Sequence, residues 1–284
     1  MPKAKVAIVT DSTCNLPIEV VEQYDIHVIP QILNWEGTSL LDQIDISTEE
    51  FYNRLPQSND LPKTSQPSPG QFIEFFTEVA ENADSIVGIF VSEFLSGTLQ
   101  SAHLGAEAMS DYPIEIVDSR SVSLGLGLLV TAAARYAAEG HDYHAVAEYT
   151  RTLAPRLRVL FVVDTLEYLH KGGRIGGAQR LVGSVLSIKP VLHLEDGRIE
   201  PLASIRTKKK AIQSMINTVL GEMEGKQHIH AGVIHAATPG DAEHIKEMIL
   251  ASVSPEELLV NELTPVIGAN VGPGVVGMGY YVEP

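Results

Sequence analysis

Short apolar runs alternate with amphipathic stretches through the first half of the chain. Residues 6–10, 26–32, 86–91 and 114–117 form runs of strand length, whereas 16–24, 70–81, 98–109 and 122–138 carry a helical pattern. Strands separated by helices in this way predict a mainly parallel sheet flanked by helices. After residue 32 the pattern turns polar, with a short helix expected near 48–54 and then a loop holding Pro62, Pro67 and Pro69. A loop of that length in a compact domain usually carries function.

From about residue 156 the pattern changes. A strand over 159–163 and two helical stretches reaching 188 lead to apolar segments at 190–193 and 199–204. The Asp196-Gly197 pair between those segments signals a hairpin. A helix over 208–223, a strand over 230–235, a helix over 241–251, a strand near 258–263 and a closing VVGMGYYV strand complete the pattern. The expected fold class is α/β: an N-terminal domain, 1–155, with a mainly parallel sheet flanked by helices, and a second α/β domain, 156–284, with a mixed sheet.

Composition narrows the partners. The chain is 44% hydrophobic and 20% charged, as expected of a globular protein of 284 residues. The longest apolar run, 124–134, is shorter than the roughly 18 residues a membrane span requires, so no stable membrane insertion is expected. A net charge of −16 repels phosphate backbones and argues against nucleic acid. The single cysteine, Cys14, excludes an internal disulfide and fits a reducing compartment. With Lys3 and Lys5 directly before a strand-like run and no signal-peptide core, the expected location is the cytoplasm.

The polar chemistry gathers where strands end. VTDST, VSEFLSGT and VDSRSVS each follow a strand and precede a helix, so Asp11, Ser12, Ser92, Ser96, Thr98, Asp118, Ser119 and Ser121 are expected along one edge of the sheet. Ligands of open α/β sheets bind there, although the same residue types also serve as ordinary helix caps. Ser96-Gly97-Thr98 is the most suggestive group, because a glycine at a helix start lets an anion approach backbone amides.

Other signals lead away from catalysis. GPGVVG, 272–277, matches a dinucleotide fingerprint but precedes a strand and the chain end instead of a helix. KGGRIGG, 171–177, lacks the ending of a phosphate loop. There is no Gly-x-Ser-x-Gly elbow, and the histidines lack the companions of a metal site, so neither catalytic nor metal-binding residues are expected. The glycines of LGLGLL, 124–129, leave open a channel for a ligand or close helix packing.

Seven motifs in chain order then carry a resemblance: VTDST, TSQPSPG, LSGTLQSA, VDSRSVSLGLG, LHKGGRIG, IKPVL with EDGRIEP, and IGANVGPGVVG. Together they resemble the DegV family from end to end. The resemblance implies a bacterial lipid-binding protein that holds a long-chain fatty acid, with the carboxylate between two α/β domains and the acyl tail enclosed by the second. It further implies a non-catalytic, monomeric acyl carrier without a cofactor, serving a separate ATP-binding fatty acid kinase subunit.

By motif, Thr64 and Ser96 match the family's carboxylate-binding hydroxyls, with Ser65 and the amides of Gly97 and Thr98 adjacent. Arg174 and Arg206 are candidates for contact with the head group or the kinase. Kinase-serving members carry Ala-His where this chain has Ala269-Asn270; Asn270 can donate a hydrogen bond to a carboxylate but cannot carry a positive charge. Two other readings stay open: a stand-alone enzyme acting on a small acid or phosphate through Asp11 and Asp118, and a fatty-acid-sensing regulatory module with no kinase partner.

Overall fold

The computed structural model describes residues 5–283, and of 183–187 the backbone alone. The first half runs β1 (Ala7–Asp11), α1 (Ile18–Gln23), β2 (His27–Ile29), β3 (Ile32–Trp35), β4 (Thr38–Leu41), α2 (Thr48–Arg54), β5 (Lys63–Ser65), α3 (Pro69–Ala80), β6 (Ile86–Phe90), α4 (Thr98–Glu107), β7 (Ile114–Asp118), α5 (Leu124–Ala138) and α6 (Tyr143–Leu153). The second runs β8 (Arg158–Val162), α7 (Glu167–Gly172), a series of 3-10 turns over Gly176–Ser187, β9 (Lys189–Glu195), β10 (Arg198–Ile205), α8 (Lys208–Met223), β11 (Ile229–His235), α9 (Pro239–Ser252), β12 (Glu257–Glu262), α10 (Pro265–Val271) and β13 (Val276–Val282).

The all-apolar runs of the first half become a four-stranded parallel sheet in the order β2-β1-β6-β7. Every residue of β1 and β6 is buried, as expected of strands covered on both faces. Phe72 and Phe76 of α3 cover one face by packing on Phe90 and Ile86, while α5 and α6 cover the other. The second half forms a six-stranded mixed sheet, β10-β9-β8-β13-β11-β12, in which only β11 and β12 run parallel. The Asp196-Gly197 pair turns the β9–β10 hairpin with positive φ at both residues, 46° and 78°, as a type I′ turn requires.

Two local readings are corrected. The run 26–32 is not one strand: it breaks after Ile29, β2 joining the parallel sheet and β3 a separate antiparallel sheet, β4-β3-β5. Pro30, which has no amide hydrogen, lies at the break. Nor is 63–65 a loop, because β5 pairs with β3 and sets Thr64 opposite Leu33.

Helix α5 joins the halves. All residues from Leu124 to Ala134 are buried, since the helix packs on β1 and β6 on one side and on β11 and β13 on the other. A Cβ on Gly127 would lie 2.6 Å from the Cys14 carbonyl oxygen, and one on Gly232 would lie 2.9 Å from Leu124. The glycines of LGLGLL therefore permit close packing. One hydrophobic cluster runs from Ile8, Val87 and Leu126 through to Phe161, Leu192 and Ile267, so the halves share a core. At the far end of α5, Arg135 donates to Glu257 at 3.0 Å and to the Tyr281 hydroxyl at 3.0 Å.

Candidate functional site

Three elements that are remote in sequence converge beside the N-terminal end of α5: the loop from β6 to α4, the short strand β5, and α10. They bound a cavity with about 580 Å³ of atom-free space, its solvent-open part included. Thr64, Ser65, Ser96, Arg174 and Asn270 line it, and so do Thr13, Gln31 and Gln66. Its apolar wall draws on Val91, Leu95 and Val122 from the first half and Leu169, Ile199 and Ile267 from the second. The apolar lining thus comes from both halves.

The loop that carries Ser96 is held down by the second half. Ser92 Oγ donates to the Gly197 carbonyl at 2.9 Å, and Arg174 Nε donates to the Leu95 carbonyl at 3.0 Å. The Arg198 guanidinium sits 3.5 Å from the centre of the Phe94 ring. These contacts fix the hydroxyl's position while exposing little polar backbone to the cavity.

Thr64 is fixed by two neighbours. Strand pairing with β3 sets its backbone, and Asn270 Nδ2 donates to its Oγ1 at 3.2 Å. The second Asn270 amide hydrogen goes to the Val266 carbonyl at 2.9 Å, an oxygen that can only accept, which settles the amide's orientation. Both hydrogens are then engaged, so Asn270 positions Thr64 and has none left for a ligand carboxylate. Having accepted from Asn270, Thr64 keeps its own hydrogen for another acceptor.

The remaining expected residues separate. Ser65 lines the cavity, and its Oγ accepts from Asn34 Nδ2 at 3.0 Å. Thr98 is fully buried behind Ser96; its amide turns back onto Ser96 Oγ at 3.3 Å, and neither it nor Gly97 lines the cavity. Arg206 lies exposed at the turn from β10 to α8, away from the cavity lining.

The two acids of the catalytic alternative are engaged with backbone amides. Asp11 is wholly buried; its carboxylate accepts from Thr13 N and Oγ1 and from Val91 N at 2.6–3.0 Å. Asp118 caps its own turn through the Arg120 amide at 2.8 Å. Both acids hold backbone.

Gln31 was missed by sequence reasoning. It is 2% exposed and reaches the cavity from the segment between β2 and β3, the one misread as continuous strand. A buried glutamine directly after a proline, at a break between sheets, was the available signal.

The head of the cavity also faces outward. Thr64, Arg174 and Asn270 form part of the wall of a second, polar cleft whose other side carries Lys63, Tyr168 and Lys171.

Comparison with known proteins places this architecture. A family model described as "Uncharacterised protein, DegV family" matches residues 5–283. A DegV domain-containing protein of Caldanaerobacter subterraneus subsp. tengcongensis is 33% identical over 274 residues, covering 96% of this chain and 98% of the relative. Among solved structures, a fatty-acid-binding DegV family protein from Thermus thermophilus superposes with a TM-score of 0.93 at 36% identity, covering 98% of this chain and 100% of the other. DegV from Bacillus subtilis, described as a fatty acid binding protein, gives 0.89 at 30% identity over 99% of this chain and 100% of its own.

Proposed function

Because the chain belongs to the DegV family, we propose that it binds a long-chain fatty acid, with the carboxylate held by Thr64 and Ser96 and the tail along the apolar wall. The observation that carries this reading is the convergence of two hydroxyls, from β5 and from the loop before α4, on one cavity that also has apolar walls. Structural neighbours described as fatty-acid-binding DegV proteins support it. Burying a long acyl tail at about 0.8 kcal/mol per methylene contributes on the order of 10 kcal/mol, and each hydrogen bond to the charged head adds about 1.5–3 kcal/mol. The tail supplies affinity and the hydroxyls supply orientation.

In this reading the protein is a cytoplasmic, monomeric carrier rather than an enzyme. Residues 1–155 and 156–284 act as two domains with the carboxylate between them. The outward cleft past Arg174, Lys63 and Lys171 gives an ATP-dependent kinase subunit a route to the carboxylate. Arg206, exposed and remote from the cavity, is available to such a partner.

A second reading is favoured by Asn270. Its hydrogens are engaged with Thr64 and Val266 and it carries no charge, so it offers nothing to a phosphoryl group. A fatty-acid sensor without a kinase partner needs only the binding half of the site. Organic extraction of the purified protein followed by mass spectrometry tests binding, and detection of long-chain acids is the expected result. Delipidated protein that takes up no fatty acid would overturn both readings, while acyl phosphate formation with a kinase separates carrier from sensor.

A further inference from the structure

Behind Ser96 lies a line of buried polar groups, Thr98 and Gln31. Gln31 Nε2 donates to Thr98 Oγ1 at 2.8 Å, and Thr98 Oγ1 lies 2.8 Å from Ser96 Oγ. Taken alone, the contact between the two hydroxyls is ambiguous, since either oxygen can donate. The surroundings remove the ambiguity.

The Gln31 amide also approaches the Asp11 carboxylate, which already collects three donors from Thr13 and Val91. An oxygen so loaded with donors acts as an acceptor, so the nitrogen side of Gln31 is the side that faces Asp11 and Thr98. Thr98 Oγ1 therefore accepts from Gln31. Being 0% exposed, it has to give its hydrogen to a protein acceptor, and Ser96 Oγ is the one in reach. Ser96 Oγ then receives both the Thr98 hydroxyl and the Thr98 amide, which fills its two acceptor positions. Its own hydrogen is left for the cavity.

We infer that Gln31, oriented by the buried Asp11 carboxylate, is a positioning residue that makes Ser96 a one-way donor and thereby favours an accepting carboxylate over a hydroxyl head group that would donate there. The inference rests on the proposed carboxylate site. A head group that accepts at Ser96 is welcome; a hydroxyl seeking to donate finds no lone pair there. In this relay Asp11 does no chemistry on the ligand and sets only the direction of the hydrogen bonds.

Gln31→Met removes the donor at similar volume, and Thr98→Val breaks the relay one step later with almost no change of shape. In either variant Ser96 is free to turn and accept. Dissociation constants are measured for palmitate and for hexadecanol on delipidated protein at mildly alkaline pH, by displacement of a fluorescent fatty acid. Palmitate binding is expected to weaken about tenfold or more in both variants, as for the loss of a hydrogen bond to a charged group. Hexadecanol, which can donate to a turned Ser96, is expected to hold its affinity, so the preference for the acid collapses. Equal weakening of both ligands, or no change in either, would overturn the relay. Wild-type protein that binds neither ligand would instead overturn the fatty acid reading, and the two failures are distinguishable in one experiment.

Discussion

Replacing Asp42 by asparagine removes a buried charge while keeping an acceptor for one of its donors. Asp42 is 1% exposed and joins three parts of the chain. One carboxylate oxygen accepts from the Val266 amide in the first turn of α10 at 3.2 Å, and the other accepts from Ser12 Oγ at 2.6 Å. Burial, with the neighbouring Asp11 adding a smaller push, raises its carboxyl from the ordinary 3.8 to about 6. Since the folded value lies above the unfolded one, Asp42 favours folding at low pH. That stability is complete below about pH 4 and is lost as pH rises through 6. The rise amounts to about 3 kcal/mol withheld from the folded state at neutral pH. Asp42→Asn removes this penalty and forfeits about 1 kcal/mol from its weaker bond with Ser12. The variant should therefore gain about 2 kcal/mol near pH 7 and lose about 1 kcal/mol near pH 4. Urea unfolding of both proteins at the two pH values measures the difference. An effect of the same sign and size at both would refute the argument that a buried carboxylate with a raised pKa ties α10 to the first half.

Further outcomes follow from the same geometry. Ser96→Ala and Thr64→Val should each weaken fatty acid binding by about tenfold or more, with little change in thermal stability, as read by calorimetric titration. Cys14 is buried and its thiol is pushed up to about 12, chiefly by burial; Ellman's reagent should leave it unmodified in the folded protein and react once the chain is unfolded. Glu257, despite the opposing effect of burial, is held below its ordinary value by His230 and Arg135. Glu257→Gln should cost about 1–3 kcal/mol at neutral pH, the difference shrinking as acid protonates the wild-type carboxylate.

The layered plan was readable because buried strands and amphipathic helices leave strong periodic signals. β1, β6, β7 and α5 lie within a few residues of where the pattern puts them. The hairpin at Asp196-Gly197 was equally legible, since those residue types tolerate the positive φ that the turn demands. The small antiparallel sheet was not. β5 has three residues, too few to show alternation, and its partner β3 lies some thirty positions earlier. α10 escaped for a similar reason: it is seven residues long, holds a glycine, and is buried along most of its length, so it shows no amphipathic stripe.

The site divides along the same line. Thr64 and Ser96 could be named from motifs, and both line the cavity. What the motifs could not convey is direction: that Asn270 directs its hydrogens to Thr64 and Val266, that the Thr98 amide is turned back onto Ser96, and that Gln31 stands behind the pair. Those facts depend on which donor meets which lone pair across three sheets. No spacing along one chain encodes them.

The most direct measurement is a crystal structure of the protein with a long-chain fatty acid bound. The account predicts carboxylate oxygens within hydrogen-bond distance of Thr64 Oγ1 and Ser96 Oγ, with the acyl chain running past Val91, Leu169 and Ile267. A ligand bound with its carboxylate elsewhere, or with its tail outside this cavity, would contradict it.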